Sequence, residues 1–165
     1  MLKTIFVLMS SLLLPFHGRA QLDEYAFEQL DSLQKVAPRP VVVFIRTDWC
    51  KYCAAMENTT LRNDQVIRLL NEQYYFISLD AESKQDIRLR GHTFSFRPSG
   101  NRQGIHELAE QLGTVDGAVS YPTLCFLNAD YDIVFQHNQF IGALDLAEVL
   151  QKLPALNMPS GERDR

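Results

Sequence analysis

Two cysteines with two residues between them, Cys50 and Cys53, are the residues of this chain whose type and spacing point most directly to chemistry. They lie at the end of the stretch FIRTDWCKYC, residues 44–53. Such a pair can form a redox-active disulfide, supply half of a zinc site, or consist of two unrelated buried thiols. The other residues of the chain must distinguish these three possibilities.

A structural zinc site needs two more ligands at short spacing, and the sequence offers no such pair. The third cysteine, Cys125, stands alone, and the histidines at 92, 106 and 137 form no H-x3–5-H pair. Three cysteines are also too few, and an odd number, for a disulfide scaffold. Because Cys125 lies in the apolar run PTLCFL, we interpret it as a small buried hydrophobic residue.

The elements on either side of the cysteine pair favour a reactive thiol. The β-branched run PVVVFIRT (40–47) predicts a buried strand, and the segment AAMENTTLRNDQVIRLLNEQ (54–73) is compatible with a helix. Cys50 is therefore expected at a helix N-terminus, where free N–H groups, the helix dipole and the neighbouring Lys51 favour a thiolate. Cys53 would lie one turn further on the same face.

The remaining chain alternates between helix and strand patterns. Further helices are predicted at 22–36, 104–113 and 143–153, the last ending before Pro154. Further strands are predicted at 74–80 and, as a pair joined by a turn at Asn128–Asp130, within 122–140. This order favours an α/β fold in which a mixed sheet is covered by helices on both faces.

The motif TDWCKYC after an apolar strand, with SYPT about seventy residues later before another strand, resembles the thioredoxin superfamily. The resemblance extends from about Pro38 to Leu153. It implies a thioredoxin-like three-layer α/β/α sandwich with a mixed central sheet of about four to five strands. An insertion would precede the helix before the cis-proline strand.

The resemblance also implies roles for individual residues. Cys50 corresponds to the exposed attacking thiol and Cys53 to the buried resolving thiol. Trp49 corresponds to the aromatic residue that packs beside the motif. Pro122 corresponds to the family's cis-proline next to the disulfide, and Tyr121 would offer its backbone N–H and C=O to an extended substrate.

The chain departs from thioredoxin at two places near the cysteines. Lys51 and Tyr52 stand between the cysteines, where thioredoxin usually has Gly-Pro. Phe44 occupies the strand position at which thioredoxin has a buried Asp, so the proton relay attributed to that Asp is missing or moved. Glu57, one turn after Cys53, is the candidate for proton transfer; the alternative is a solvated helix carboxylate.

The first twenty residues have the layout of a secretory signal peptide. A basic residue, Lys3, precedes an apolar stretch from Ile5 to Phe16, and Gly18-Arg19-Ala20 ends in a small residue before a predicted cleavage site. The sequence thus predicts a signal peptide at 1–20 and a periplasmic or secreted protein, as in the thioredoxin-like proteins of Gram-negative bacteria.

Beyond the signal peptide, the sequence predicts one thioredoxin-like domain at 21–153 and a flexible polar tail at 154–165. No later segment is long and apolar enough to cross a membrane. The formal net charge of −4, which becomes more negative on loss of the signal peptide, argues against general binding to nucleic acid or anionic membranes.

The segment 81–104 is unusually long for a connection between a strand and a helix. Its runs DIRLR and TFSF, with Gly91 between them, predict a small hairpin, and His106 just beyond it is expected to face solvent. The basic residues of this insertion are Lys84, Arg88, Arg90, Arg97 and Arg102. Either it is a solvated structural addition, or its charge recruits an acidic protein partner.

Together these features predict an exported thiol-disulfide oxidoreductase that exchanges disulfides with protein substrates through Cys50 and Cys53. The resemblance to thioredoxin favours a monomeric reductase, reset by an upstream redox partner protein, without metal, flavin or nucleotide. Two alternatives stay open. One is a binding module with a static disulfide, and the other is a module that holds copper(I) or zinc between the two thiolates.

Overall fold

A computed structural model describes residues 20–100 and 103–156. The helices are α1 (Phe27–Val36), α2 (Lys51–Asn58), α3 (Asp64–Gln73), α4 (Glu107–Gly113) and α5 (Ala143–Leu156), with a 3₁₀ turn at Thr60–Arg62. The strands of the central sheet are β1 (Val41–Arg46), β2 (Tyr75–Asp80), β9 (Thr123–Leu127) and β10 (Ile133–His137). The other strands are β3 (Ile87–Leu89), β4 (His92–Phe94), β5 (Phe96–Gly100), β6 (Gln103–His106), β7 (Thr114–Val115) and β8 (Ala118–Val119). Apart from Ala20, the predicted signal peptide lies outside the described residues, as does the predicted tail beyond 156.

The central sheet has four strands in the order β10-β9-β1-β2. Strand β1 pairs in parallel with β2 and antiparallel with β9, so that Val43 lies between Ile77 and Cys125. Strands β9 and β10 are antiparallel. The predicted α/β fold with a mixed central sheet is confirmed.

Alternating side chains of the sheet supply two hydrophobic cores. Phe44 packs on the face covered by α2, α3 and α5, while Val43 and Ile45 pack on the face covered by α1 and α4. Since β1 is central and buried on both faces, nearly all its side chains are apolar, which explains the run recognised in the sequence. The result is the predicted three-layer sandwich.

The first helix is shorter than predicted. It begins at Phe27 rather than at Leu22, because the preceding residues run along the exposed edge of β2. Glu24 forms a parallel bridge with Phe76, and the Tyr25 N–H donates to the Phe76 carbonyl at 2.9 Å. These contacts give β2 a neighbour on its open side, which the helical spacing of leucines in 22–33 does not indicate.

The single helix predicted at 54–73 is in fact two helices, α2 and α3, with the 3₁₀ turn between them. The Asn63 side chain caps α3 by accepting from the N–H groups of Gln65 and Val66 at 3.0 and 3.2 Å. In the turn, the buried Thr60 hydroxyl donates to the Ile141 carbonyl at 2.8 Å. The 3₁₀ turn between α2 and α3 therefore anchors the loop between β10 and α5.

The prediction that the last helix ends before Pro154 is wrong, because α5 continues to Leu156. Proline has no N–H to donate to the carbonyl four residues earlier, here that of Leu150. The buried Tyr74 hydroxyl donates to this carbonyl instead, at 2.7 Å. None of the described helices, α5 included, has the length and apolar composition needed to cross a membrane.

The insertion, residues 81–104, contains two hairpins rather than one. The predicted hairpin is β3–β4, whose turn residues Arg90 and Gly91 both have positive φ angles, 52° and 77°. The second hairpin, β5–β6, was not predicted, and it shortens the helix expected at 104–113 to α4, which begins only at Glu107. Leu89 is buried against the α1 side of the sheet, so the insertion extends that core.

His106 is fully buried, and the prediction that it faces solvent is wrong. It is the N-cap of α4: its Nδ1 accepts from the Leu108 N–H at 3.2 Å. Nε2 therefore carries the proton, and it lies 3.2 Å from the Gln85 carbonyl, to which it donates. The imidazole thus joins the start of α4 to the start of the insertion.

Most of the basic side chains described in the insertion contact other parts of the same chain. Arg97 forms an ion pair with Glu107 at 2.7 Å, and Lys84 lies 5.9 Å from the centre of the Phe96 ring. Arg90 donates to the Asp130 carbonyl at 3.1 Å, in the turn between β9 and β10. These contacts favour the structural interpretation of the basic insertion over recruitment of an acidic partner.

Replacing His106 by Ala should destabilise the protein, because the Leu108 N–H loses its acceptor and a buried cavity forms. We expect a loss of about 1–3 kcal/mol in the free energy of unfolding, measured by urea titration. His106→Asn, which keeps a capping acceptor, should lose less, and His92→Ala at an exposed position should lose little. Equal urea midpoints for the His106→Ala variant and wild type would contradict the capping role.

Candidate redox site

The cysteine pair lies where β1 passes into α2, as predicted. The Cys50 N–H donates to the Thr47 carbonyl at 3.2 Å, which closes a tight turn after the strand. Cys50 is the N-cap of α2, and its Sγ accepts from the Cys53 N–H at 3.0 Å. The two cysteines form a disulfide with their Cα atoms 5.2 Å apart. The backbone of the first helical turn therefore points a donor at the Cys50 sulfur.

The two sulfur-bearing residues differ in accessibility, although less than the resemblance implied. Cys53 is 1 % exposed, and Cys50 is 6 % exposed, so the expectation of an exposed Cys50 is wrong for this disulfide-bonded form. Both belong to the core that α2 shares with the sheet, and Tyr121 packs against that core. Cys50 is nevertheless the more accessible of the pair.

Trp49 stands at the surface, 65 % exposed, and is held by two contacts. Its Nε1 donates to Glu82 Oε1 at 3.1 Å, and its ring meets that of Tyr121 edge to face, with centroids 5.8 Å apart. Burial raises the pKa of the Tyr121 hydroxyl, and the carboxylates of Glu82 and Asp80 raise it further. Trp49 thus connects the cysteine turn, the start of the insertion and the loop before β9.

The Tyr121–Pro122 peptide bond is cis, as predicted from the resemblance. The loop that carries it is held on both sides: the Ser120 hydroxyl donates to the Asn138 carbonyl at 3.2 Å, and the Thr123 hydroxyl donates to the Ser120 carbonyl at 2.7 Å. The antiparallel pairing of β1 with β9 brings this loop to the end of β1 from which the cysteine turn departs.

A short hairpin that we did not predict, β7–β8, directly precedes this loop. Its two turn residues, Asp116 and Gly117, have φ angles of 52° and 80°. Asp-Gly between apolar residues is a strong signal for a two-residue hairpin, so this element could have been found in the sequence. The hairpin connects the end of α4 to the loop that contains Tyr121.

A groove of about 320 Å³ lies beside the cis peptide bond. Its lining residues are Tyr52, Tyr121, Pro122, Asn138, Gln139 and Phe140. Tyr52 comes from between the two cysteines and is 68 % exposed, while Phe140 comes from the β10–α5 loop and is 44 % exposed. No local sequence pattern joins these three segments, so the groove could not be predicted.

Glu57, the candidate for proton transfer, forms an ion pair with Arg46 at 3.3 Å. Arg46 also pairs with Asp48, at 2.6 Å. Glu57 and Phe44 both line a cavity of about 200 Å³, and Phe44 is the fully buried residue at the position where thioredoxin has Asp. Glu57 therefore lies in the neighbourhood of the missing carboxylate, and its role in proton transfer stays a prediction.

Cys125 is fully buried in β9, as predicted, and is not part of the disulfide. Burial raises the pKa of its thiol to about 12, because the surrounding core disfavours the charged thiolate. Within residues 20–100 and 103–156, no group of three or more His, Cys, Asp or Glu residues is arranged to hold a metal ion.

The sequence matches the model of a family described as the thioredoxin-like domain over residues 27–156. The chain belongs to this thioredoxin-like family. The match includes the cysteine turn, the insertion, the cis peptide bond and all five helices of the domain. No curated protein matches the sequence.

Solved structures similar to this thioredoxin-like domain share the fold at low sequence identity. A thioredoxin from Thermus thermophilus matches with a TM-score of 0.60 at 21 % identity, covering 86 % of this chain and 93 % of that one. DsbH oxidoreductase matches with a TM-score of 0.57 at 18 % identity, covering 82 % of this chain and 86 % of that one. The oxidised DsbD C-terminal domain of Neisseria meningitidis matches with a TM-score of 0.51 at 20 % identity, covering 79 % of this chain and 98 % of that one. These similarities support the fold alone.

Cys125 should resist alkylation in the reduced, folded thioredoxin-like domain. At pH 7.5 its thiol is almost entirely protonated and buried, whereas the reactive species is an accessible thiolate. We expect iodoacetamide to modify Cys125 at least a hundred-fold more slowly than Cys50, measured by mass spectrometry of digested protein. Adding urea should remove the difference; a Cys125 that reacts at the rate of Cys50 without urea would contradict the buried position.

Glu82→Ala should free the Trp49 indole without unfolding the protein, because the hydrogen bond lies at the surface. Trp49 is the only tryptophan, so the steady-state anisotropy of tryptophan fluorescence reports on it alone. We expect a lower anisotropy and a change in the free energy of unfolding of no more than about 0.5 kcal/mol. Glu82→Gln, which keeps an acceptor oxygen, is the matched control, and equal anisotropy in all three proteins would refute the contact.

Proposed function

We propose that this thioredoxin-like protein is an exported thiol-disulfide oxidoreductase that exchanges disulfides with protein substrates. The main supporting observation is the Cys50–Cys53 disulfide at the N-terminus of α2. A disulfide that only stabilised the fold would gain nothing from this position, whereas an attacking thiol gains thiolate character. Export rests on the signal peptide predicted at residues 1–20.

In the reducing direction, the Cys50 thiolate attacks one sulfur of a substrate disulfide. A mixed disulfide forms, and the other substrate sulfur leaves as a thiolate that takes up a proton. Cys53, as a thiolate, then attacks the Cys50 sulfur and displaces the second substrate thiolate. Two electrons pass to the substrate, and the Cys50–Cys53 disulfide of the present structure is the oxidised product.

The geometry suits Cys50 to the attacking role. The N–H group of Cys53 donates to Cys50 Sγ, and Lys51 is exposed beside it, so negative charge on this sulfur is stabilised. Cys53 lies one turn deeper and is almost fully covered. It is therefore placed to reach only a partner already attached to Cys50, which makes it the resolving thiol.

We propose that the protein acts as a reductase that an upstream redox protein returns to the dithiol form. The direction depends on the reduction potential of the Cys50–Cys53 pair relative to its partners, and equilibration with glutathione measures it. A potential well below that of glutathione would support the reductase. A static-disulfide binding module would instead fail to catalyse insulin reduction by dithiothreitol.

Cys53→Ser should still attack substrates but retain them as mixed disulfides, because no thiol remains to release them. Cys50→Ser should retain none. The complexes should appear on non-reducing gels as bands that dithiothreitol dissolves, and Cys125→Ser should behave as wild type because its thiol is buried. Equal trapping by the Cys50→Ser and Cys53→Ser variants, or trapping by neither, would overturn the assigned roles.

A further inference from the structure

We propose that Gln21 is a modification site, which cyclises to pyroglutamate once the predicted signal peptide has been removed. The inference rests on the export that is part of the proposed function, because Gln21 becomes the first residue only after cleavage behind Ala20. The product is an uncharged N-terminus that ordinary aminopeptidases cannot trim and that Asn71 clamps to α3.

The reaction needs only groups of Gln21 itself. Its free α-amino nitrogen attacks the side-chain amide carbon, a lactam ring closes, and the bond from that carbon to the amide nitrogen breaks. The leaving nitrogen takes one proton from the attacking amine and departs as ammonia. Nothing is oxidised or reduced, and no co-reactant is consumed. Because both groups belong to one residue, the reaction has the advantage of proximity.

The Asn71 side chain holds the backbone on both sides of Leu22. Its Nδ2 donates to the Gln21 carbonyl at 2.8 Å, and its Oδ1 accepts from the Asp23 N–H at 2.9 Å. The half-buried Asn71 is itself held, since its own carbonyl accepts from Arg39 Nη1 at 3.1 Å. Leu22 packs against the core covered by α2, α3 and α5. One carboxamide thus pairs with two backbone groups, as a neighbouring strand would.

The clamp leaves the reacting atoms of Gln21 free. Both hydrogen bonds of Asn71 go to backbone groups, the Gln21 carbonyl and the Asp23 N–H. Cyclisation joins the α-amino nitrogen of Gln21 to its side-chain amide and leaves that carbonyl unchanged. The lactam can therefore form in the folded protein without breaking either hydrogen bond. Because Gln21 is exposed, its side chain has room to turn back on the amine.

The surroundings of Gln21 suit an uncharged residue. A groove of about 340 Å³ beside it is lined by aliphatic side chains and by Arg62, so an ammonium there would lose water and meet a like charge. The acidic side chains of a second groove beside it, Asp23 and Glu24, are exposed, and water screens their attraction for an ammonium. The lactam avoids the first cost and gives up little.

A blocked N-terminus protects a segment that the fold uses. Directly after the clamp, the bridge of Glu24 to Phe76 covers part of the open edge of β2, which would otherwise invite pairing with other chains. An aminopeptidase that removed Gln21 would delete the acceptor of the Asn71 amide and leave an ammonium on the partly buried Leu22. The lactam has no free amine for such an enzyme to recognise, so the segment stays in place.

The test uses the full chain, exported with its own signal peptide from a Gram-negative host and purified. Mass spectrometry of the mature protein and of its N-terminal peptide identifies the first residue and its chemical state. We expect a chain that begins at residue 21 and whose N-terminal peptide loses the mass of one ammonia molecule, with most of the protein converted after several weeks at neutral pH. Gln21→Ala, which has no side-chain amide, should show no such loss.

The clamp is tested with pyroglutamyl peptidase, which must bind the peptide bond after the lactam in order to cut it. Asn71 holds the carbonyl of that bond, so cleavage of the folded protein should be slow. Asn71→Ala should raise the cleavage rate about ten-fold, because local opening no longer breaks two hydrogen bonds. Glu72→Ala, at the exposed next residue of α3, is the matched control and should behave as wild type. Equal rates in all three proteins would overturn the clamp.

The remaining outcomes separate this inference from the proposed function. A mature chain that keeps a free Gln21 amine throughout the incubation refutes the modification and leaves export and disulfide exchange in place. A chain that retains residues 1–20, or that is cut elsewhere, refutes the predicted cleavage and the modification together. Insulin reduction by the same preparation reports separately on the oxidoreductase.

Discussion

The burial of β1 on both faces is the constraint on which the rest of this structure depends. The strand lies between β2 and β9 and under helices on both sides, so its position and direction are fixed along its whole length. The chain leaves β1 at the carboxyl end of the strand, and the turn after Arg46 places Cys50 at the start of α2. Cys50 is thus positioned a few residues after a strand whose first five residues are fully buried.

A second consequence of this packing is that three distant segments meet around the cysteine turn. Trp49 contacts both Glu82, which opens the insertion, and Tyr121, which precedes the cis peptide bond. The meeting follows from the sheet order, because β2 and β9 flank β1 and bring the start of the insertion and the loop before β9 to the same region. The insertion therefore touches the site at its first residues and otherwise extends the core on the α1 side.

Two of the wrong predictions, the starts of the first helix and of α4, have the same physical cause. Leu22 and Ile105 have helical spacing with their neighbours, yet Leu22 lies just before the bridge of Glu24 to Phe76, and Ile105 lies in β6, paired with β5. Backbone pairing at a sheet edge or in a hairpin satisfies N–H and C=O groups regardless of side-chain period, so it can override a short helical pattern. His106 was mistaken for a surface residue because one of its partners, the Gln85 carbonyl, lies 21 residues earlier in the chain and no local pattern records that contact.

Taken by itself, the sequence determined the order along the chain of the four strands of the central sheet and of most helices, the strand-to-helix position of Cys50, the burial of Cys125 and the family resemblance. These depend on local composition, on hydrophobic period and on motifs a few residues long, all of which are visible along one chain. Only the tertiary structure decided that Glu82 holds Trp49 and that Tyr52 and Phe140 face one groove. Such contacts join segments tens of residues apart, and their geometry is set by strand register and loop anchoring, which no local pattern records.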